Sequence, residues 1–70
     1  MQEVKSKKQF SVKDRILLVV DELKGKEISR DDLEKRFIME GVPSPSDVVE
    51  RLRQEGHLFE PRYGVIKVIG

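Results

Sequence analysis

The chain has no cysteine and no tryptophan, a single histidine at position 57, and aromatic side chains at only 6% of its 70 positions. Without cysteine there is no disulfide and no thiolate metal ligand, and one histidine excludes a multi-histidine metal site. The same shortage leaves no apparent nucleophile and base to pair for covalent catalysis. No apolar run approaches the roughly 20 residues that a membrane helix needs. The opening Met1-Gln2-Glu3-Val4 lacks the apolar centre of a signal peptide. The expectation is a soluble, intracellular chain with no membrane segment, no cofactor and no enzyme chemistry. The carboxylate neighbours Asp21-Glu22 and Asp31-Asp32 do not alter it, because adjacent residues diverge on a helix and read as solvated surface.

A strong charge of one sign is also missing, since the formal net charge is +1. No global field therefore draws the protein to nucleic acid. Residues 1–15 hold five cations against two anions, a net of +3, which leaves −2 for the remainder. Residues 1–9 are polar apart from Val4 and read as a flexible basic tail or linker. Residues 10–70 read as one small domain, in which nearly every apolar residue has to serve the core.

What is present is punctuation. Ser11 followed by Asp14 resembles a capping box, with Phe10 placed before it as a staple. Val12, Ile16, Val19, Val20 and Leu23 then recur at helical spacing, and Leu17 and Leu18 widen the stripe, so this first helix reads as the central one. Gly25 suits its C-terminal end. Ile28 marks a brief strand. Ser29 with Asp32 is a second cap, opening a helix from Arg30 to about Glu40 whose Leu33 and Phe37 share a face that Ile38 broadens. Asp31 and Asp32 in its first turn, with Lys35 and Arg36 later, match the helix dipole. After a Gly41-Val42-Pro43 break, Ser44 is expected to cap a third helix from Pro45 to about Glu55, stopped by Gly56.

Beyond Gly56 the period changes. His57-Leu58-Phe59-Glu60 and Val65-Ile66-Lys67-Val68-Ile69 read as two strands around a Pro61-Arg62-Tyr63-Gly64 turn. If Lys67 faces water, Ile66 and Val68 face the core, and Val65 and Ile69 share the wet side. The whole predicts an α+β winged helix-turn-helix: three helices, a short first strand and a C-terminal β-hairpin wing. The expected core is Phe10, Ile16, Val20, Leu23, Ile28, Leu33, Phe37, Val49, Leu52, Leu58, Ile66 and Val68.

The stretch Leu52-Arg53-Gln54-Glu55-Gly56 to Val65-Ile66-Lys67-Val68, with Leu58-Phe59, Glu60-Pro61-Arg62 and Gly64 inside it, resembles the C-terminal end of archaeal minichromosome maintenance (MCM) replicative helicases. The resemblance covers about residues 12–70, and its specific part is the last 20 or so. It implies a non-catalytic, regulatory accessory domain in DNA replication, tethered behind an AAA+ ATPase ring. The partners it implies are that ring and a replication-initiation protein. No G-x-x-x-x-G-K-[ST] phosphate loop occurs here, so the chain is not a helicase by itself.

Two binding modes compete. As a nucleic-acid reader the third helix would enter a groove, yet Asp47, Glu50 and Glu55 oppose its Arg51 and Arg53. Candidate nucleic-acid contacts are therefore Arg51, Arg53, Arg62, Tyr63 and Lys67, giving weak, salt-sensitive DNA binding, with Arg62 beside Tyr63 joining charge to stacking. Arg51 and Arg53 have local partners in Asp47, Glu50 and Glu55. As a protein-docking module the outer hairpin would use Tyr63, Val65 and Ile69. His57 reads as the residue that starts the strand. A stand-alone winged-helix transcription regulator is the alternative function. It would need a dimer to reach two half-sites, and without an additional dimerisation helix the domain is expected to be a monomer.

Overall fold

A computed structural model describes residues 11–70. The tail at 1–9 and the staple and core roles of Phe10 lie outside the described residues.

Helix α1 (Val12–Glu22) starts as its sequence requires. The Asp14 amide donates to Ser11 Oγ at 3.1 Å, and the Ser11 amide donates back to Asp14 Oδ2 at 3.2 Å. Strand β1 (Glu27–Ser29) leads directly into α2 (Arg30–Met39), where the Asp32 amide donates to Ser29 Oγ at 3.1 Å. Helix α3 (Pro45–Gln54) is entered differently. Ser44 precedes it, but with a left-handed φ of 50° and no side-chain capping bond. The fixed φ of Pro45 in the first turn opens the helix instead, so the expected serine cap is corrected.

Helices α2 and α3 end alike. Gly41 and Gly56 take φ values of 79° and 88°. The next amides reach back, Val42 N to Phe37 O and His57 N to Leu52 O, both at 2.9 Å. This Schellman closure brings the residue after the glycine onto the last helical turn. At α2 it buries Val42 against Phe37, a core position the periodicity of the helices does not reveal.

Strands β2 (Leu58–Arg62) and β3 (Val65–Val68) form the hairpin, and β1 adds to the other side of β3, giving an antiparallel sheet in the order β1-β3-β2. The register sets Ile28 opposite Ile66 and Leu58 opposite Val68, facing inward. Glu27, Lys67 and Phe59 form one cross-strand row facing out, and Ser29, Val65 and Arg62 form the next. The turn is shorter than the sequence suggested. Pro61 and Arg62 lie inside β2, where the register shifts between Phe59 and Arg62, and only Tyr63 and Gly64 join the strands. Strand β2 is an edge, so a residue with no N–H fits there at a bulge.

The domain among the described residues is therefore an α+β unit of three helices and a three-stranded antiparallel sheet. Its buried core is Val19, Val20, Leu33, Phe37, Val42, Val49, Leu52, Leu58, Ile66 and Val68. Ile16, Leu23 and Ile28 pack on its margin half-buried. Two expectations are overturned. Leu17 and Leu18 are exposed, so α1 lies at the side of the core and not at its centre. Ile38 is exposed as well and does not broaden the inner face of α2. Each has the same cause: even three apolar residues in a row, as at 37–39, turn through about 200° of helix, and five, as at 16–20, go all the way round, whereas one core covers only part of that arc. No helix among the described residues is long and apolar enough to cross a membrane.

Candidate nucleic-acid interface

Electrostatics divide the surface into distinct faces. Arg30, at the first position of α2, reaches three side chains. Its Nε donates to Glu34 at 2.9 Å, Nη1 to Glu50 on α3 at 2.7 Å, and Nη2 to Ser46 at 3.3 Å. Glu50 also meets Arg53 at 3.5 Å. Arg53 then donates to Glu60 on β2 at 2.9 Å, and the other oxygen of Glu60 accepts the Gly64 amide at 2.8 Å. The Gly64 carbonyl closes the circuit by accepting the Arg30 amide at 2.9 Å. Helix α2, helix α3 and the hairpin turn are thus joined by one chain of charge-assisted bonds.

This chain perturbs its members. The hydrogen bond from Arg30, above all, holds the Glu50 carboxyl below the usual carboxylate range, with the Arg53 charge adding to it. Glu34 first and Glu50 second raise Arg30 above its ordinary value. Arg36 is raised in the same way, chiefly by its hydrogen bond to Glu22 of α1, which ties the first two helices together.

The sequence candidates fall into separate places. Arg53 is exposed but engaged with Glu50 and Glu60. Its pairing with Glu50 follows the local reading, whereas Glu60 is a tertiary partner. Arg51 lies two residues away, about 200° around the helix. It borders an apolar groove of about 650 Å³ between α1 and α3, with Val12, Ile16 and Leu17 on one wall and Val48 and Leu52 on the other. The structure therefore does not bring Arg51 together with the hairpin candidates.

Arg62, Val65 and Lys67 share the outer face of the sheet, Tyr63 stands at the hairpin turn, and Ile69 lies past the end of β3 beside His57, at the opposite end. Tyr63 is 100% exposed at the turn, so its ring does not lie along the ribbon. Val65 and Lys67, one in each outward row, are half-buried, Arg62 and Ile69 are exposed, and Arg62 approaches Glu27 across the sheet at 3.6 Å. His57 stands where α3 gives way to β2, its Nδ1 3.1 Å from the Gly70 carbonyl and its Nε2 3.7 Å from Glu55.

Sequence reasoning passed over three residues here. Phe59 is 55% exposed beside Lys67 in the outer row. Its signal was available, because alternation puts Phe59 outside once Leu58 is inside. Glu60 gave no local signal, since Arg53 lies 7 residues away, and of the partners of Arg30 only Glu34 is local, Glu50 lying 20 residues away. Among the described residues no three His, Asp or Glu side chains are grouped as metal ligands. No protein-family model matches the chain, and no curated protein or solved structure matches it either.

Proposed function

We propose that the chain is a winged-helix module serving as the non-catalytic C-terminal accessory domain of an archaeal MCM-type helicase in DNA replication. It works by docking on the AAA+ ring of its own chain and by weak nucleic-acid contact at the hairpin. The supporting observation is the path of the chain: helix, short strand, two helices, then a hairpin whose second strand pairs with the short strand. That is the arrangement on which the resemblance at residues 52–68 depends.

The interface geometry favours an accessory role over the alternative, a stand-alone transcription regulator. A duplex reader presents free cationic or amide side chains from α3 to a groove. Here Glu50 is committed to Arg30 and Arg53 to Glu60, and Asp47 lies in the first turn. Such a surface offers a phosphate-lined groove little attraction.

The test compares a helicase ring with and without this domain. Altered ATPase or unwinding rates on its removal, restored by adding the domain back in cis, support the reading. Rates that do not change on removal refute it.

A further inference from the structure

The outer face of the sheet differs in character from the rest of the surface. The three strands carry two carboxylates, Glu27 and Glu60. Glu60 is turned away, bonded to Arg53 and the Gly64 amide, and Glu27 is met by Arg62 at 3.6 Å. The outer face thus presents Arg62 and Lys67 with Glu27 as its one carboxylate, directly opposite Lys67 and met by Arg62. Alongside stand Phe59, directly opposite Lys67, and the fully exposed Tyr63 one residue past Arg62. Rows on one face of a strand repeat at about 6.8 Å, so Phe59 and Lys67 stand one row from Arg62, and Tyr63 follows at the turn, where it also borders Asp31, Glu34, Glu50 and Glu60.

We infer that this face binds single-stranded nucleic acid, with bases stacked on Phe59 and Tyr63 and phosphates held by Arg62 and Lys67. The inference rests on the reading of the chain as a module that contacts nucleic acid, and it names the face and the substrate. Two exposed rings cost the protein apolar surface in water, and two cations beside them supply what a stack of bases on a charged backbone requires. A duplex hides its base faces and gains nothing from the rings. Helix α3, the usual reader in a helix-turn-helix, takes no part because its Arg53 is spent on Glu50 and Glu60.

The whole chain is titrated at low salt with fluorescein-labelled oligothymidine, oligouridine and a mixed-sequence duplex. The expected result is micromolar binding of a single strand, tighter than of the duplex, with the two sugars showing whether DNA or RNA is preferred. Phe59→Ala and Tyr63→Ala each weaken it by about 5- to 150-fold, the range set by losing one stacked base. Arg62→Gln with Lys67→Gln lowers the salt slope by about 1.4, roughly 0.7 for each phosphate contact. Lys35→Ala on α2 leaves binding unchanged. Thermal melting of each variant confirms folding. Single-strand affinity unaffected by Phe59→Ala and Tyr63→Ala overturns the inference. Tighter duplex binding that is lost with Arg51→Ala overturns the face while leaving nucleic-acid contact standing. Binding of neither form overturns both, and leaves ring docking to be judged by its own rates.

Discussion

Three isoleucines allow the same methylene to be removed from three environments. Ile66 is 0% exposed at the centre of β3, whereas Ile38 is 60% and Ile69 52% exposed. Ile→Val keeps the β-branch and the preferred backbone, so differences among the three report burial alone. At Ile66 the lost transfer energy is about 0.8 kcal/mol, and the hole left among packed neighbours brings the expected loss to about 0.5–1.5 kcal/mol. In a domain of this size that corresponds to a fall in Tm of roughly 2–12 °C. At Ile38 and Ile69 the expected change stays within about 0.5 kcal/mol. Urea unfolding followed by circular dichroism reads all three, with an unchanged m-value showing that the unfolded states are comparable. Equal losses at the three positions, or a larger loss at Ile38 than at Ile66, would refute the placement of the core and the exposure of the outer face of α2.

Leu52→Ala, at a buried position on α3, is expected to cost about 2–5 kcal/mol in the same assay, and a loss under about 1 would contradict its burial. The three serines that precede helices should separate: Ser11→Ala and Ser29→Ala each remove a capping bond and cost about 0.5–2 kcal/mol, whereas Ser44→Ala removes none and costs under about 0.5. Because Arg30 holds the folded Glu50 carboxyl below its unfolded value, the stability it adds is fully present above that unfolded value, about 4.3, and is lost as pH falls through the lower folded value. Glu50→Gln should therefore lower the urea midpoint at neutral pH by more than it does in acid. A gap that does not close on acidification would remove the Arg30–Glu50 bond from the account.

Local chemistry was legible where it acts within a few residues. The capping box at Ser11, the cap at Ser29 and the inward pair Ile66 and Val68 all follow from spacing alone, and the structure has each of them. The pairing of Ile28 with Ile66 was also foreseeable, because a lone β-permissive residue before a helix needs a sheet to join. Failures came where a neighbour distant in sequence decides. Leu17, Leu18 and Ile38 are as apolar as the residues beside them, and only the position of the other elements determines which face is covered. Val42 is buried through a helix-ending hydrogen bond rather than through periodicity. Pro61 reads as a turn former, yet the free side of an edge strand accepts it equally well. For the candidate interface, Arg62, Tyr63 and Lys67 were proposed from their residue types, and the structure adds only where they stand on the hairpin. Arg53 was counted among them because nothing near it in the sequence reveals that Glu60 neutralises it.

The proline in β2 bears on how copies of this domain behave at close quarters. An open strand margin is a template for zipping one molecule onto the next, and tethering several copies to one assembly raises their local concentration to the millimolar range. At Pro61 the outward margin has no hydrogen to give, and the adjacent bulge throws the strand out of line. Along the β2 margin neighbouring domains can therefore crowd together without pairing edge to edge.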